Sequence, residues 1–290
     1  MDAIAVTVRR GSLVEAVHRV HAVVVENGRI TESAGDPGLV TFYRSSSKPL
    51  QALPLARERE DVTEVELAIA CASHRAEPPQ LEAARSLLER APAAEVDLEL
   101  GPQEGRGPSL LSHNCSGKHA GFLAVCRARG WPIEGYRLLD HPLQQLLLSE
   151  IAGAAEFDAR EVATGVDGCG VLTFGMSLER MAYTFSRLAQ LEGGGRIVAA
   201  MTAHPELIGY ERGATDTDLM RLRPGWVAKG GAEGLICAAT SEGAGIALKV
   251  EDGNMRALRP ALAAFLSLDD GFAAAPLWNS RGERVGEIAT

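Results

Sequence analysis

What most constrains the fold is the order in which strand and helix signals follow one another. Residues 3–8, 20–25, 29–33 and 39–43 are short runs rich in β-branched side chains, separated by Glu26-Asn27-Gly28 and Gly35-Asp36-Pro37-Gly38. Such runs, bounded by Asn-Gly and Pro-Gly turns, predict antiparallel strands joined by hairpins. From residue 48 the apolar spacing changes to three and four, which predicts helices over 48–59, 64–73, 79–90, 116–129, 142–152, 177–191 and 196–203. Gly-rich loops interrupt them at 101–107, 165–170 and 193–195. After Gly225 strand signals return at 226–229, 234–239 and 245–250, followed by a helix over 254–268 and a last helical turn or strand pair over 275–288. Segregation of this kind, rather than alternation, predicts an α+β fold: an antiparallel sheet drawn from both chain ends, with a helical lobe between. At 290 residues one domain spanning 1–290 is expected, with a sheet lobe at roughly 1–60 and 225–290 and a helical lobe at roughly 61–224.

Composition narrows the function classes. The 38 acidic side chains exceed the 29 basic ones, giving a formal charge of −9 with no dense Lys/Arg run, so nucleic acid is not an expected partner. The most apolar stretches, 66–72 and 261–268, are far shorter than the ~20 residues of a membrane helix. Met1-Asp2 opens no signal-peptide layout. A cytoplasmic protein without membrane contact is expected. Its five cysteines lack CxxC spacing, so reduced thiols are expected rather than disulfides or a zinc ribbon.

Three constellations can carry chemistry. In Arg44-Ser45-Ser46-Ser47-Lys48-Pro49, at a strand-to-helix junction, Ser45 and Lys48 are three apart and share a helix face, whereas Ser46 and Ser47 do not meet the lysine in that way. A desolvated lysine can remove a serine proton, and the helix start offers N–H groups for developing negative charge. Serines before a helix also serve simply as caps. In His113-Asn114-Cys115-Ser116-Gly117-Lys118-His119-Ala120-Gly121, Ser112 and His119 stand where a phosphate loop needs Gly and Ser or Thr, which excludes nucleotide binding. Two chemistries stay open there: a Cys115–His119 nucleophile, or a thiolate metal site to which Cys169 in Val166-Asp167-Gly168-Cys169-Gly170 adds a second sulfur. Buried cysteines that act only as small apolar side chains account for the same residues. The third set is Ser73-His74-Arg75-Ala76-Glu77 and Lys229-Gly230-Gly231. An SxxK pair, an isolated Ser and a Lys-Gly-Gly on a strand, in that chain order, are the parts of penicillin-recognising serine hydrolases.

Together with His204-Pro205-Glu206 and Ala228-Lys229-Gly230-Gly231-Ala232-Glu233-Gly234, these blocks resemble the asparaginase II family, the Rhizobium etli-type asparaginases, from about Val6 to Ile288. The resemblance implies hydrolysis of L-asparagine to L-aspartate and ammonia, a fold similar to serine β-lactamases and glutaminases, and a homodimer. Carried over by position, it implies that Ser45 and Lys48 form one Ser–Lys pair and Ser73 and Lys229 a second. Cys115, Lys118 and Cys169 would be the ligands of a zinc ion beside the active site, structural or modulatory because a lysine must lose its proton to bind metal. Leu172, where the family has proline, and Tyr210, where it commonly has Gly, depart from the pattern.

The expected chemistry is acyl transfer: neutral Lys48 deprotonates Ser45, Ser45 attacks the side-chain amide, and Ser73 with Lys229 relays protons; the pairs can also exchange roles. The substrate is a small amino-acid amide, whose α-carboxylate is assigned to Arg44 and whose α-ammonium to Asp167, with His74 beside them. The rival readings are a Cys115–His119 amidohydrolase acting on glutamine or another small amide, and a non-catalytic zinc or thiol sensor.

Overall fold

The computed structural model describes residues 1–209, 213–273 and 275–290. Both chain ends enter one antiparallel sheet. Strand β1 (Ile4–Arg10) lies between β2 (Leu13–Glu26) and β11 (Arg284–Ala289), so that Val8 stands opposite Ala16 on one side and Ile288 on the other. Strand β2 is 14 residues long and changes partners along its length. Its first half pairs with β1; its second half pairs with β3 (Arg29–Ala34) and β9 (Gly245–Val250), with Ala22 opposite Ala34 and Leu248. Val20–Val25 are buried without alternation, as expected of a strand covered on both faces. The sheet order is β10-β11-β1-β2-β9-β8-β7, with β3 also on β2; β7 is Val227–Gly231, β8 Leu235–Ala239 and β10 Ala275–Trp278. Residues 275–288 are therefore a strand pair and not a helical turn.

Two compact units divide the chain: residues 1–41, 176–186 and 230–290, and residues 42–175 and 187–229. The expected lobe boundary at about residue 60 moves to 41. Helices α1 (Lys48–Gln51) and α2 (Leu53–Glu58) bury most of their residues among the other helices, on α6 (Pro142–Ala154) and α5 (Ser116–Ala128) respectively. Residues 176–186 move the other way. Helix α7 (Leu178–Arg187) lies so close on β9 that a Cβ on Gly245 would fall 1.8 Å from the Ala182 carbonyl oxygen, an approach only glycine permits.

In the second unit, α3 (Glu64–Ala70) starts with a capping box between Thr63 and Glu66. The Glu66 carboxylate, 1% exposed, also receives Ser86 and Arg90, which tie α3 to α4 (Pro78–Arg90). Residues 116–126 of α5 are all buried, marking a helix enclosed on every side. It crosses α3 at Gly117, where a Cβ would lie 2.2 Å from the Ile69 carbonyl oxygen. This contact brings the start of α5 against the end of α3. The remaining helices of the unit are α8 (Gly194–Ala203), α9 (Pro205–Ile208) and α10 (Thr215–Leu222).

Residues 39–43 were expected to belong to the main sheet. Instead β4 (Val40–Phe42) joins β6 (Leu172–Ser177) and β5 (Ala163–Val166) in a separate three-stranded sheet. The expected loop 165–170 is thus partly strand, and Asp167-Gly168-Cys169-Gly170 is its tight turn, closed by Gly170 N–H on Asp167 O at 2.8 Å with Gly170 at φ +86°. No helix of the described residues is long and apolar enough to cross a membrane.

Candidate active site

The site is built on the turn that leaves β4. Arg44 adopts φ +49°, a left-handed conformation that L side chains rarely hold and that costs on the order of 1 kcal/mol. Its N–H donates to Thr173 Oγ1 at 3.2 Å, and its Nε donates to Asp167 Oδ1 at 2.7 Å. A 3₁₀ turn over Arg44–Ser47 then runs into α1. The three serines in it differ sharply. Ser46 Oγ donates to Lys229 O at 2.8 Å and Ser47 Oγ to Arg44 O at 2.9 Å, so both hydroxyls brace the turn. Ser45 is half-buried, and its hydroxyl has no hydrogen-bond partner among the described residues.

Lys48 is wholly buried, and its Nζ reaches Ser73 Oγ at 3.0 Å, Asn114 O at 3.3 Å and Ala72 O. Three acceptors consume the three donors of an ammonium. The Ser45–Lys48 hydrogen bond expected from spacing is therefore replaced by Ser73–Lys48, because the lysine side chain runs inward to the end of α3. Burial above all, with the charges of Lys229 and Lys118, lowers Lys48 from its ordinary 10.5 to about 8, against the opposing pull of Cys115. Once neutral, the amine keeps two N–H groups and one lone pair. The two carbonyls can only accept, so the lone pair turns to the one hydroxyl, Ser73 Oγ.

Lys229, expected beside Ser73, places its Nζ 3.4 Å from Asp216 Oδ2 on α10. Both residues are buried. Sequence reading missed Asp216; the acidic start Thr215-Asp216-Thr217-Asp218 followed by Leu219, Met220 and Leu222 is the helix-start signal that marks it. It also gave no role to Asn114, whose carbonyl helps hold Lys48.

Arg44 and Asp167, assigned to opposite ends of a substrate, are paired with each other, and Asp167 also takes Gly168 N–H at 2.8 Å. Burial would raise the Asp167 carboxyl, but Lys118 and Arg44 hold it below the usual range. His74 needs correction as a substrate contact. Its ring is wholly buried, Nδ1 accepts Ala76 N–H at 3.1 Å, and Nε2 donates to Ser116 Oγ at 2.8 Å. Burial pushes it down to about 3, so it is a neutral brace that fixes Ser73 against α5. Leu172 is buried on β6 and its N–H donates to Gln144 Oε1 at 3.2 Å, a bond that proline has no hydrogen to make. Tyr210 lies outside the described residues.

The turn at 167–170 and the start of α5 bring Cys169 to Cys115 and Lys118. The Cys169 thiol hydrogen-bonds Cys115, which takes Cys115 well below the ordinary 9.0 against its burial, with help from Lys48 and Lys118. The same bond, together with burial, raises Cys169. Lys118 Nζ lies 3.0 Å from Cys169 Sγ; burial works against its charge, but the two sulfurs raise it. Two sulfurs and an amine so placed fit the soft-donor chemistry of zinc. Among the described residues no three His, Cys, Asp or Glu side chains group as a metal site, so any such site would have to draw on Lys118 as well. A Cys115–His119 dyad loses support. His119 Nδ1 is engaged by Tyr136 OH at 2.6 Å, and its buried Nε2, without a well-formed hydrogen bond, lies beside Cys169 instead.

A buried amine of lowered basicity held against a hydroxyl, with a second hydroxyl free on a strained turn, is the equipment of an amidohydrolase. The chain belongs to the L-asparaginase II family, whose model matches residues 6–290. A search of curated proteins found no match. Among solved structures it is similar to Mglu in its native form in the presence of 4.3 M NaCl, at 14% identity over 88% of this chain and 61% of that one, with a TM-score of 0.50. Mglu in its native form gives 14% identity, 87% and 64% coverage and a TM-score of 0.49. A β-lactamase from Mycobacterium bovis gives 13% identity, 87% and 93% coverage and a TM-score of 0.37. The chain thus spans less than two thirds of the length of these Mglu chains, and at such identities the likeness concerns the fold alone.

Proposed function

We propose that the protein hydrolyses L-asparagine to L-aspartate and ammonia through an ester on Ser45. The observation that carries this reading is the division of labour around Lys48: its amine is bonded to Ser73, while Ser45, unlike Ser46 and Ser47, has a hydroxyl without a hydrogen-bond partner among the described residues. Ser45 Oγ attacks the side-chain amide carbon, its proton passes to Ser73, and the Ser73 proton passes to Lys48 Nζ. The same path returns a proton to the amide nitrogen, the C–N bond breaks and ammonia leaves. Water then cleaves the ester by the reverse relay. Lys229, held beside Asp216, contributes the positive charge that disfavours protonation of Lys48. Asp167 receives the substrate ammonium, with Arg44 fixing it in place. One methylene separates asparagine from glutamine and is worth only ~1–3 kcal/mol, so glutamine is expected as a slower substrate. Ammonia release from asparagine, glutamine and a β-lactam tests the reading; absence of release from asparagine contradicts it.

The relay sets a pH dependence. Lys48 accepts a proton only when uncharged, and its ammonium predominates below about 8. The kcat/KM for asparagine should rise with pH, about tenfold per unit below that value, and level off above it. A flat profile between pH 6 and 9 contradicts a lysine base.

Zinc, in this reading, is held by Cys115, Lys118 and Cys169 and shapes the wall next to Asp167; when bound it supplies a fixed positive charge there. Elemental analysis should find zinc in the protein as purified and none in Cys115→Ser or Cys169→Ser. Metal content unchanged in both variants removes these ligands.

A further inference from the structure

We propose that Arg106 receives the α-carboxylate of the amino-acid amide, an assignment that rests on the asparaginase reading above. The residue first assigned to this role, Arg44, already gives its Nε to Asp167 at 2.7 Å. Arg106 lies in the 101–107 loop, which is fastened at two points to the segments around Lys48. Gln103 Oε1 accepts Asn114 N–H at 2.8 Å, and the Asn114 carbonyl in turn accepts from Lys48 Nζ. Arg106 Nη1 donates to His74 O, on the residue that follows Ser73. The guanidinium is thereby anchored on the carbonyl of the residue that follows Ser73.

That single bond leaves four of its five N–H donors over, and no carboxylate pairs with it among the described residues. Partial burial above all, and then the charge of Arg75, hold the guanidinium below its ordinary range, against a smaller opposing pull from Cys115. A half-buried guanidinium with no carboxylate partner among the described residues, beside Arg75 and bonded to the residue after Ser73, is completed by an anion. A planar carboxylate matches its fork. The Asp167 carboxylate lies on the β5–β6 turn, so the two ends of a zwitterion would be read by different loops.

The test compares L-asparagine with 3-aminopropanamide, which keeps the amine and the amide and lacks the carboxylate. In Arg106→Gln the KM for asparagine should rise roughly 100-fold with kcat within a few-fold, as for loss of a charge-assisted fork. Kinetics with 3-aminopropanamide should not change, so the preference for asparagine collapses. Arg106→Lys should retain part of it. An intact preference in Arg106→Gln overturns the assignment, as does an equal loss on both substrates. So does a collapse produced by Arg44→Gln alone. Calorimetric titration with L-aspartate gives a readout independent of turnover: binding should weaken by the same factor in Arg106→Gln. If the wild-type protein releases no ammonia, the function proposal fails while this titration still decides the role of Arg106; undiminished binding, or none in the wild type, rejects it.

Discussion

Ser45→Ala should lower ammonia release from asparagine by roughly 10⁵-fold, the order expected when the nucleophile of an acyl-enzyme reaction is removed. The hydroxyl is half-buried and bonded to nothing among the described residues, so its loss leaves the turn braced by Ser46 and Ser47. Unfolding free energy should therefore stay within about 0.5 kcal/mol of wild type. Ser46→Ala, by contrast, deletes the buried bond to Lys229 O and should act on stability more than on chemistry. Ser73→Ala should be slower than wild type by about 10³-fold, the contribution of a proton relay, and should not abolish turnover. Equal loss in Ser45→Ala and Ser73→Ala, or a greater loss in the latter, would transfer the nucleophile to Ser73.

The second large effect is at Lys48. Lys48→Met keeps a long unbranched side chain but removes the amine, and kcat/KM should fall by about 10³- to 10⁴-fold. The residual activity should lose the rise with pH below about 8, since the titrating group is gone. The substitution leaves the Ala72 and Asn114 carbonyls without the lysine donor and removes a buried charge. Circular dichroism and a denaturation curve on the same sample separate loss of fold from loss of chemistry. A folded Lys48→Met with more than a tenth of wild-type activity would show that no lysine base is needed.

How far the sequence reveals the fold depends on the range of the forces. The strand at 245–250 is legible to the residue, because β-branched and small apolar side chains between turns need no distant partner to declare a strand. The second sheet is not legible: β5 is only four residues long, contains Gly165 and runs directly into the 167–170 turn, so composition reads it as loop. The same distinction holds within the site. The SxxK motif singles out Lys48, since burial of an amine on that helix is a local consequence of its apolar neighbours. Its partners lie 25 and 66 residues away at Ser73 and Asn114, fixed by the crossing of α3 and α5 at Gly117, and no spacing rule encodes that crossing. The charge pairs Arg44–Asp167 and Lys229–Asp216 are long-range in the same sense. A sensor that only bound metal through its thiols would have no use for an amine buried to this degree, and Lys48 is what separates the two readings.

The most direct measurement is to quench turnover of asparagine with acid, digest the protein and locate the acyl group by fragmentation mass spectrometry. An aspartyl ester on Ser45 is the predicted result. An adduct on Ser73, or a thioester on Cys115, would contradict it.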